Sequence, residues 1–252
     1  MKKLYARNAV LHSLVWLAFY LVLNTITDNL AGAMHIDFNT VSALPNLALA
    51  VVCYWFLRST GISDEIGLST KPTERSSVML YYVPLLALPL LNLAYGINTS
   101  LSFTQVLLLL AMYSGVGFME EIIFRGLMFK ALEKKWNRYV VVAFISLTFA
   151  MGHIVSMAAL GQTSADTLLQ VINSLVVGFM FMAVILASGN LTICVIAHVL
   201  YNFLANLSLV GRTRPEIIVA NTAITVVYFV YLVSRAGNVK AFFGSGDLQT
   251  TD

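Results

Sequence analysis

Charge is what this sequence has least of. Only 11% of its 252 residues are Asp, Glu, Lys or Arg, against about 25% in ordinary soluble domains. With 59% hydrophobic residues and a mean hydropathy of +0.82, that shortage excludes a water-soluble globule. It also gives no reason to expect a nucleic-acid partner. Cysteine is scarce as well. Cys53 and Cys194 both fall in apolar runs, so a disulfide framework is excluded and both read as small buried apolar residues. There is no Gly-x-Ser-x-Gly elbow, which removes a serine hydrolase of that type. No internal repeat is evident, which weakens a secondary transporter built from duplicated halves.

What the chain does have is evenly spaced apolar runs. Eight lie near residues 9–28, 40–57, 78–95, 103–130, 139–160, 166–187, 191–209 and 216–234, each close to the roughly 20 residues that cross the hydrocarbon of a bilayer. The expected fold is all-α, a polytopic transmembrane helical bundle formed by residues 1–235. The first run follows Met-Lys-Lys but is too long for a signal peptide and lacks a small-residue cleavage site, so it reads as a retained anchor. Twelve of the fifteen Lys and Arg residues fall at inner segments if the amino terminus is cytoplasmic, and only Arg212 and Arg214 fall outside. The positive-inside rule then puts both termini in the cytoplasm. Ser59 to Ser77 and Glu133 to Arg138 read as inner loops, and Gly96 to Ser102 and Gly161 to Ala165 as outer turns. Residues 236–252 read as a polar, disordered cytoplasmic tail.

Against this background Glu120, Glu121 and Arg125 stand out, because they lie inside the fourth run. A charged side chain near the middle of a spanning helix costs roughly 2.5 to 3.5 kcal/mol on insertion scales, so these groups should face the bundle interior or a wet cavity. Glu121 and Arg125 are four apart with the acid first, the favourable order for a helical ion pair. Glu120 projects about 100° away from Glu121, without a local partner, and is the expected reactive carboxylate. The alternative is a purely structural charge network.

Two later runs supply matching groups. Phe149 and His153 are four apart in the fifth, and His198 and Asn202 are four apart in the seventh, each pair on one helical face. At about 1.5 Å per residue from the inner ends, Glu120 lies roughly 15 Å deep, His153 about 21 Å, His198 about 12 Å and Asn202 about 18 Å. All four can meet in the cytoplasmic half of the bilayer. A carboxylate beside an imidazole can take a proton from water, and an imidazole N–H and an amide can donate to an oxyanion, which is what hydrolysis needs. Gly178 and the Gly115/Gly117 pair suggest close helix approach. Asn190 suits an N-cap of the seventh helix.

Glu-Glu-x-x-x-Arg at 120–125, Phe-x-x-x-His at 149–153 and His-x-x-x-Asn at 198–202 together resemble the CAAX prenyl protease type II family, the wider Abi group of CAAX proteases and bacteriocin-processing membrane proteins. The resemblance covers about residues 112–206 and extends to Ser188-Gly189-Asn190-Leu191 and Ala197-His198. It implies an intramembrane endopeptidase in which Glu120 and His153 activate water, His198 and Asn202 form the oxyanion site, and Glu121, Arg125 and Phe149 support them. No cofactor is expected on this view. A zinc site of Glu120, His153 and His198 is the alternative, although His-Glu-x-x-His is absent and the Asn202 amide suits an oxyanion better than a metal. Where that family often has Pro shortly before the last motif, this chain has Cys194-Val195-Ile196, implying a straighter helix. The expected partners are the lipid bilayer and a membrane protein, lipidated chain or leader peptide as substrate. Two non-enzymatic readings stay open: a transporter, which would need polar groups in the outer halves of the spans, and a scaffold or immunity-type protein.

Overall fold

The computed structural model describes residues 1–68, 82–154, 163–209 and 214–235. The 236–252 tail, residues 69–77 of the longest inner linker, residues 78–81 and 155–160 of the third and fifth runs, residues 161–162 of the expected outer turn, and residues 210–213 with Arg212 lie outside the described residues.

Every apolar run forms a helix. α1 (Lys2–Arg7) leads into α2 (Ala9–Met34), then α3 (Phe38–Thr60), α4 (Ile62–Glu65) and α5 (Val83–Leu91), which tightens into a 3₁₀ turn. α6 (Phe103–Glu121) runs through a π-helical segment (Ile122–Met128) into α7 (Phe129–Leu132). α8 (Arg138–Gly152), α9 (Ser164–Ser188), α10 (Leu191–Leu207) and α11 (Pro215–Arg235) complete the order. Among the described residues, five helical rods are long and apolar enough to cross a membrane: Ala9–Met34, Phe38–Thr60, Phe103–Leu132, Ser164–Ser188 and Pro215–Ser234. The other three expected spans correspond to shorter apolar helices, Val83–Tyr95, Arg138–Gly152 and Leu191–Leu207. Among the described residues the only β pairing is an isolated bridge between Ile97 and Ser208.

Local chemistry sets the helix starts. Side-chain oxygens of Asn8, Asp37, Asn137, Thr163 and Asn190 each accept from a first-turn amide, and Ser102 with Gln105 forms a reciprocal capping box. Such a cap is worth about 1 kcal/mol because the first amides of a helix have no carbonyl within it. Asn190 thus takes the capping place expected of it, at 3.3 Å from the Ile193 amide.

Packing turns on missing side chains. A Cβ built on Gly115 would stand 2.5 Å from the Asn46 carbonyl carbon, and one on Gly117 would stand 2.9 Å from Val199. These two glycines let α6 seat against α3 on one side and α10 on the other. Large apolar side chains such as Phe103, Trp55 and Val227 instead point outward, more than two-thirds exposed, as a lipid-facing surface requires.

The segments assigned to one side of the membrane meet at one end of the bundle. Lys134 reaches Glu65 at 3.0 Å, joining the two segments expected to be inner loops, and Glu65 also takes a hydrogen bond from Tyr5 of α1. At the other end the Asn98 amide donates to the Leu207 carbonyl at 2.8 Å, beside the Ile97–Ser208 bridge.

Candidate active site

Glu120 and Glu121 close α6, and the chain then opens into seven π-helical residues, all of them buried. A π turn holds an extra residue, so side chains after it are rotated relative to a continuous α-helix, and such turns concentrate at functional sites. The uninterrupted α-helix expected across 103–130 is corrected here. The Glu121–Arg125 pair survives, with Arg125 Nη1 3.0 Å from Glu121 Oε1 and neither side chain exposed.

Aromatic faces hold the guanidinium. Its carbon lies 3.9 Å from the Phe149 ring centroid and 5.9 Å from that of Phe181. A Cβ on Gly178 would come within 3.0 Å of Arg125 Nη2, so the close approach expected at Gly178 makes room for a cation.

His198 joins the two glutamates. Its Nδ1 lies 2.8 Å from Glu121 Oε1 and its Nε2 3.5 Å from Glu120 Oε2, while Phe149 and Phe181 flank the ring. A carboxylate at Nδ1 can only accept, so Nδ1 carries the proton. The neutral ring then turns a lone pair toward Glu120, and the protonated ring turns an N–H there. Arg125, Glu121, His198 and Glu120 thus form a continuous line from a sealed ion pair to a carboxylate at the edge of open space.

That space is a cavity of about 870 Å³, walled mainly by α2, α6, the π segment and α8. Glu120, His153 and Asn202 line it, together with Phe149. His153 is not inside a helix, as the 139–160 run suggested. It is the residue that caps the end of α8, its Nδ1 3.1 Å from the Gln170 amide nitrogen and its ring edge-on to Phe149 at 5.4 Å. Asn202 is buried one turn beyond His198 on α10, which runs unbroken from Leu191 to Leu207. Three of the four expected residues therefore line one space, and the fourth, His198, lies beside it with its Nε2 3.5 Å from Glu120.

Three functional groups escaped the sequence. Glu120 has a partner after all: the Tyr20 hydroxyl of α2 donates to its Oε1 at 2.8 Å. Gln170 of α9 holds His153. Asn173, Tyr201 and Asn221 bond one another at 2.6 to 3.0 Å and tie α9, α10 and α11 together behind the site. Intrahelical spacing cannot reveal any of these, since each joins separate helices. Asn24 and Asp28, one and two turns after Tyr20 on α2, line the same cavity.

The zinc alternative asks Glu120, His153 and His198 to share one ion. Among the described residues no three His, Cys, Asp or Glu side chains are grouped to hold one. Each imidazole gives its Nδ1 to a different neighbour, Glu121 for His198 and Gln170 for His153, which leaves Nε2 as the nitrogen either ring could offer an ion.

No curated protein and no solved structure matches the chain. One family model does, and it takes in Glu120, Glu121, Arg125, Phe149, His153, His198 and Asn202 while leaving Tyr20 outside. Over residues 102–204 the chain matches the family model described as Type II CAAX prenyl endopeptidase Rce1-like, and the five membrane-length helices among the described residues mark it as an integral membrane protein.

Proposed function

We propose that the chain is an intramembrane endopeptidase of the glutamic type, cutting a peptide bond of a membrane-associated protein or peptide. The carrying observation is Glu120, held by Tyr20 on one oxygen, near His198 on the other, and facing a cavity shared with His153 and Asn202.

In the proposed reaction a water beside Glu120 and His153 gives its proton to the Glu120 carboxylate as its oxygen bonds to the peptide carbonyl carbon. The carbonyl oxygen takes up negative charge, and the Asn202 amide and the protonated His198 ring donate to it. The C–N bond then breaks, and the leaving nitrogen takes the proton back from Glu120. Glu121 balances the charge on His198, and Arg125 balances Glu121. The Tyr20 hydroxyl donates to Glu120 and acts through it, as a positioning residue. No metal enters these steps, so a chelator should leave turnover unchanged.

The distribution of Lys and Arg supports eight helices crossing as one bundle over residues 1–235, with both termini cytoplasmic and the site in the cytoplasmic half. Prenylated carboxyl termini, leader peptides and membrane-anchored regulators all suit such a position. Purified Glu120→Ala and His153→Ala proteins should fold and fail to cleave a substrate that the unmodified chain cuts. Full turnover by Glu120→Ala would overturn the proposal. A transport path through the cavity would instead make introduced cysteines reactive from both faces of the membrane.

A further inference from the structure

The α2 wall of the cavity carries one polar stripe. Tyr20, Asn24 and Asp28 lie four residues apart in turn, so they share a helical face, and all three line the cavity. Two of them have partners already. Tyr20 donates to Glu120, and Asn24 exchanges amide hydrogen bonds with Asn46 at 3.1 and 3.3 Å. Asp28 differs. Its Oδ1 is buried and meets no hydrogen-bond donor, and none of the ion pairs among the described residues includes it.

A buried carboxylate oxygen without a donor is costly, and in a ligand-sized cavity it marks where an occupant's donor belongs. The other charged or titratable side chains along the described wall are Glu120, Lys135 and His153, with the phenols of Tyr20 and Tyr113. Lys135 is the sole Lys or Arg among them, and it cannot serve Asp28. Tyr20 meets Glu120, whereas Tyr5 reaches Lys134 through Glu65, so the amino-terminal helices and the α6 rod run antiparallel; Lys135 lies roughly 20 Å beyond Glu120 in the direction of Asn8, while Asp28 lies two turns the other way. The cavity is thus negative at one end and positive at the other, with Glu120 between.

We propose that Asp28 is a specificity subsite that accepts a basic side chain of the bound peptide. Tyr20 and Asp28 are about 12 Å apart along the helix axis. An extended peptide advances about 3.3 to 3.6 Å per residue, so the Lys or Arg would stand three to four residues from the bond at Glu120. Asn24 lies between them and keeps the wall polar along that path. This inference rests on the proteolytic reading for its register but not for its charge preference.

The test has a binding arm and a cleavage arm. Glu120→Gln protein in detergent is titrated with fluorescent peptides that are identical except for Lys, Gln or Glu placed at each position from two to five residues on either side of the central bond. The Lys peptide should bind about tenfold tighter than the Gln peptide at one position, the Glu peptide weaker still. Asp28→Asn in the same background should abolish the difference, and Asp28→Lys should invert it in favour of Glu. Cleavage by the otherwise unmodified chain should show the same positional preference in kcat/KM. Equal binding of the three peptides at every position, or a Lys preference that persists in Asp28→Asn, overturns the subsite. A Lys preference in binding without cleavage of any peptide would leave the subsite standing and count against the protease.

Discussion

Two groups of charges lie along the α6–α7 rod and behave as opposites. At its carboxyl-terminal end, Lys130 meets Glu133 at 2.8 Å, Arg138 meets Glu133 at 3.2 Å, and Lys134 meets Glu65 at 3.0 Å with both partners well exposed. Some 10 residues earlier, Glu121 and Arg125 make an equally short contact with no exposure at all. The bond lengths barely differ, but the surroundings do. Water screens the Lys134–Glu65 pair and competes for its hydrogen bond, so that pair is worth about 0.2 to 1 kcal/mol, and the half-sheltered pairs at Glu133 stand between the two extremes. The sealed pair has surrendered its hydration, so neither charge tolerates loss of the other. Charge at the rim trims stability, whereas charge in the core obliges the protein to keep an arrangement that also holds His198.

The sharpest way to break this comparison is to remove one member of the sealed pair. Arg125→Met should cost about 3 to 5 kcal/mol by leaving Glu121 buried and unpaired, read as loss of the monodisperse peak and of thermal stability in detergent. Glu121→Gln combined with Arg125→Met should recover much of that stability while turnover stays low, because His198 loses its charged neighbour. Equal stability of Arg125→Met and the unmodified chain would place the core pair in the same class as the rim.

An intermediate effect is expected at Tyr20, which links the buried line to the cavity. Tyr20→Phe keeps the ring and removes only the hydrogen bond to Glu120. Hydrogen bonds to charged groups are worth about 1.5 to 3 kcal/mol, so kcat should fall roughly 10- to 100-fold with KM little changed. A merely structural tyrosine would instead lower thermal stability in detergent while leaving the kcat of the folded protein unchanged.

The smallest effect belongs to the rim. Partial burial of Glu65 works against its ionisation, but hydrogen bonds from Lys134 and Tyr5 outweigh that and hold its carboxyl below the usual carboxylate range. Its folded value is depressed, so the stabilisation is complete above the unfolded carboxylate pKa, near 4.3, and is lost as pH falls through the lower folded value. Lys134→Ala should cost less than about 1 kcal/mol near neutrality and diminish that acid-range dependence, measured by thermal unfolding across pH 3 to 7.

The glutamate pair itself shows where the chain alone suffices. Spacing on one helix correctly joined Glu121 to Arg125, since four residues return to the same face whatever surrounds the helix. The same logic found the capping role of Asn190 and the tight contacts at Gly115, Gly117 and Gly178. It left Glu120 alone, because its partner comes from a helix one hundred positions away, and nothing in the first apolar run distinguishes Tyr20 from an aromatic that only packs. It also carried His153 into a helix that ends at Gly152, and it ran a regular helix through a π segment, since hydropathy does not register one extra residue in a turn.

Composition and periodicity by themselves determined that the chain is helical and membrane-embedded, and that a few ionisable residues must turn inward, because the bilayer penalises every exposed backbone group and charge. Which carboxylate meets which imidazole, which phenol fixes Glu120 and which wall leaves Asp28 without a donor were decided only when the helices packed. Those contacts depend on interhelical distances of a few ångströms, set by small residues and side-chain volumes on facing surfaces, and no pattern confined to one helix contains them.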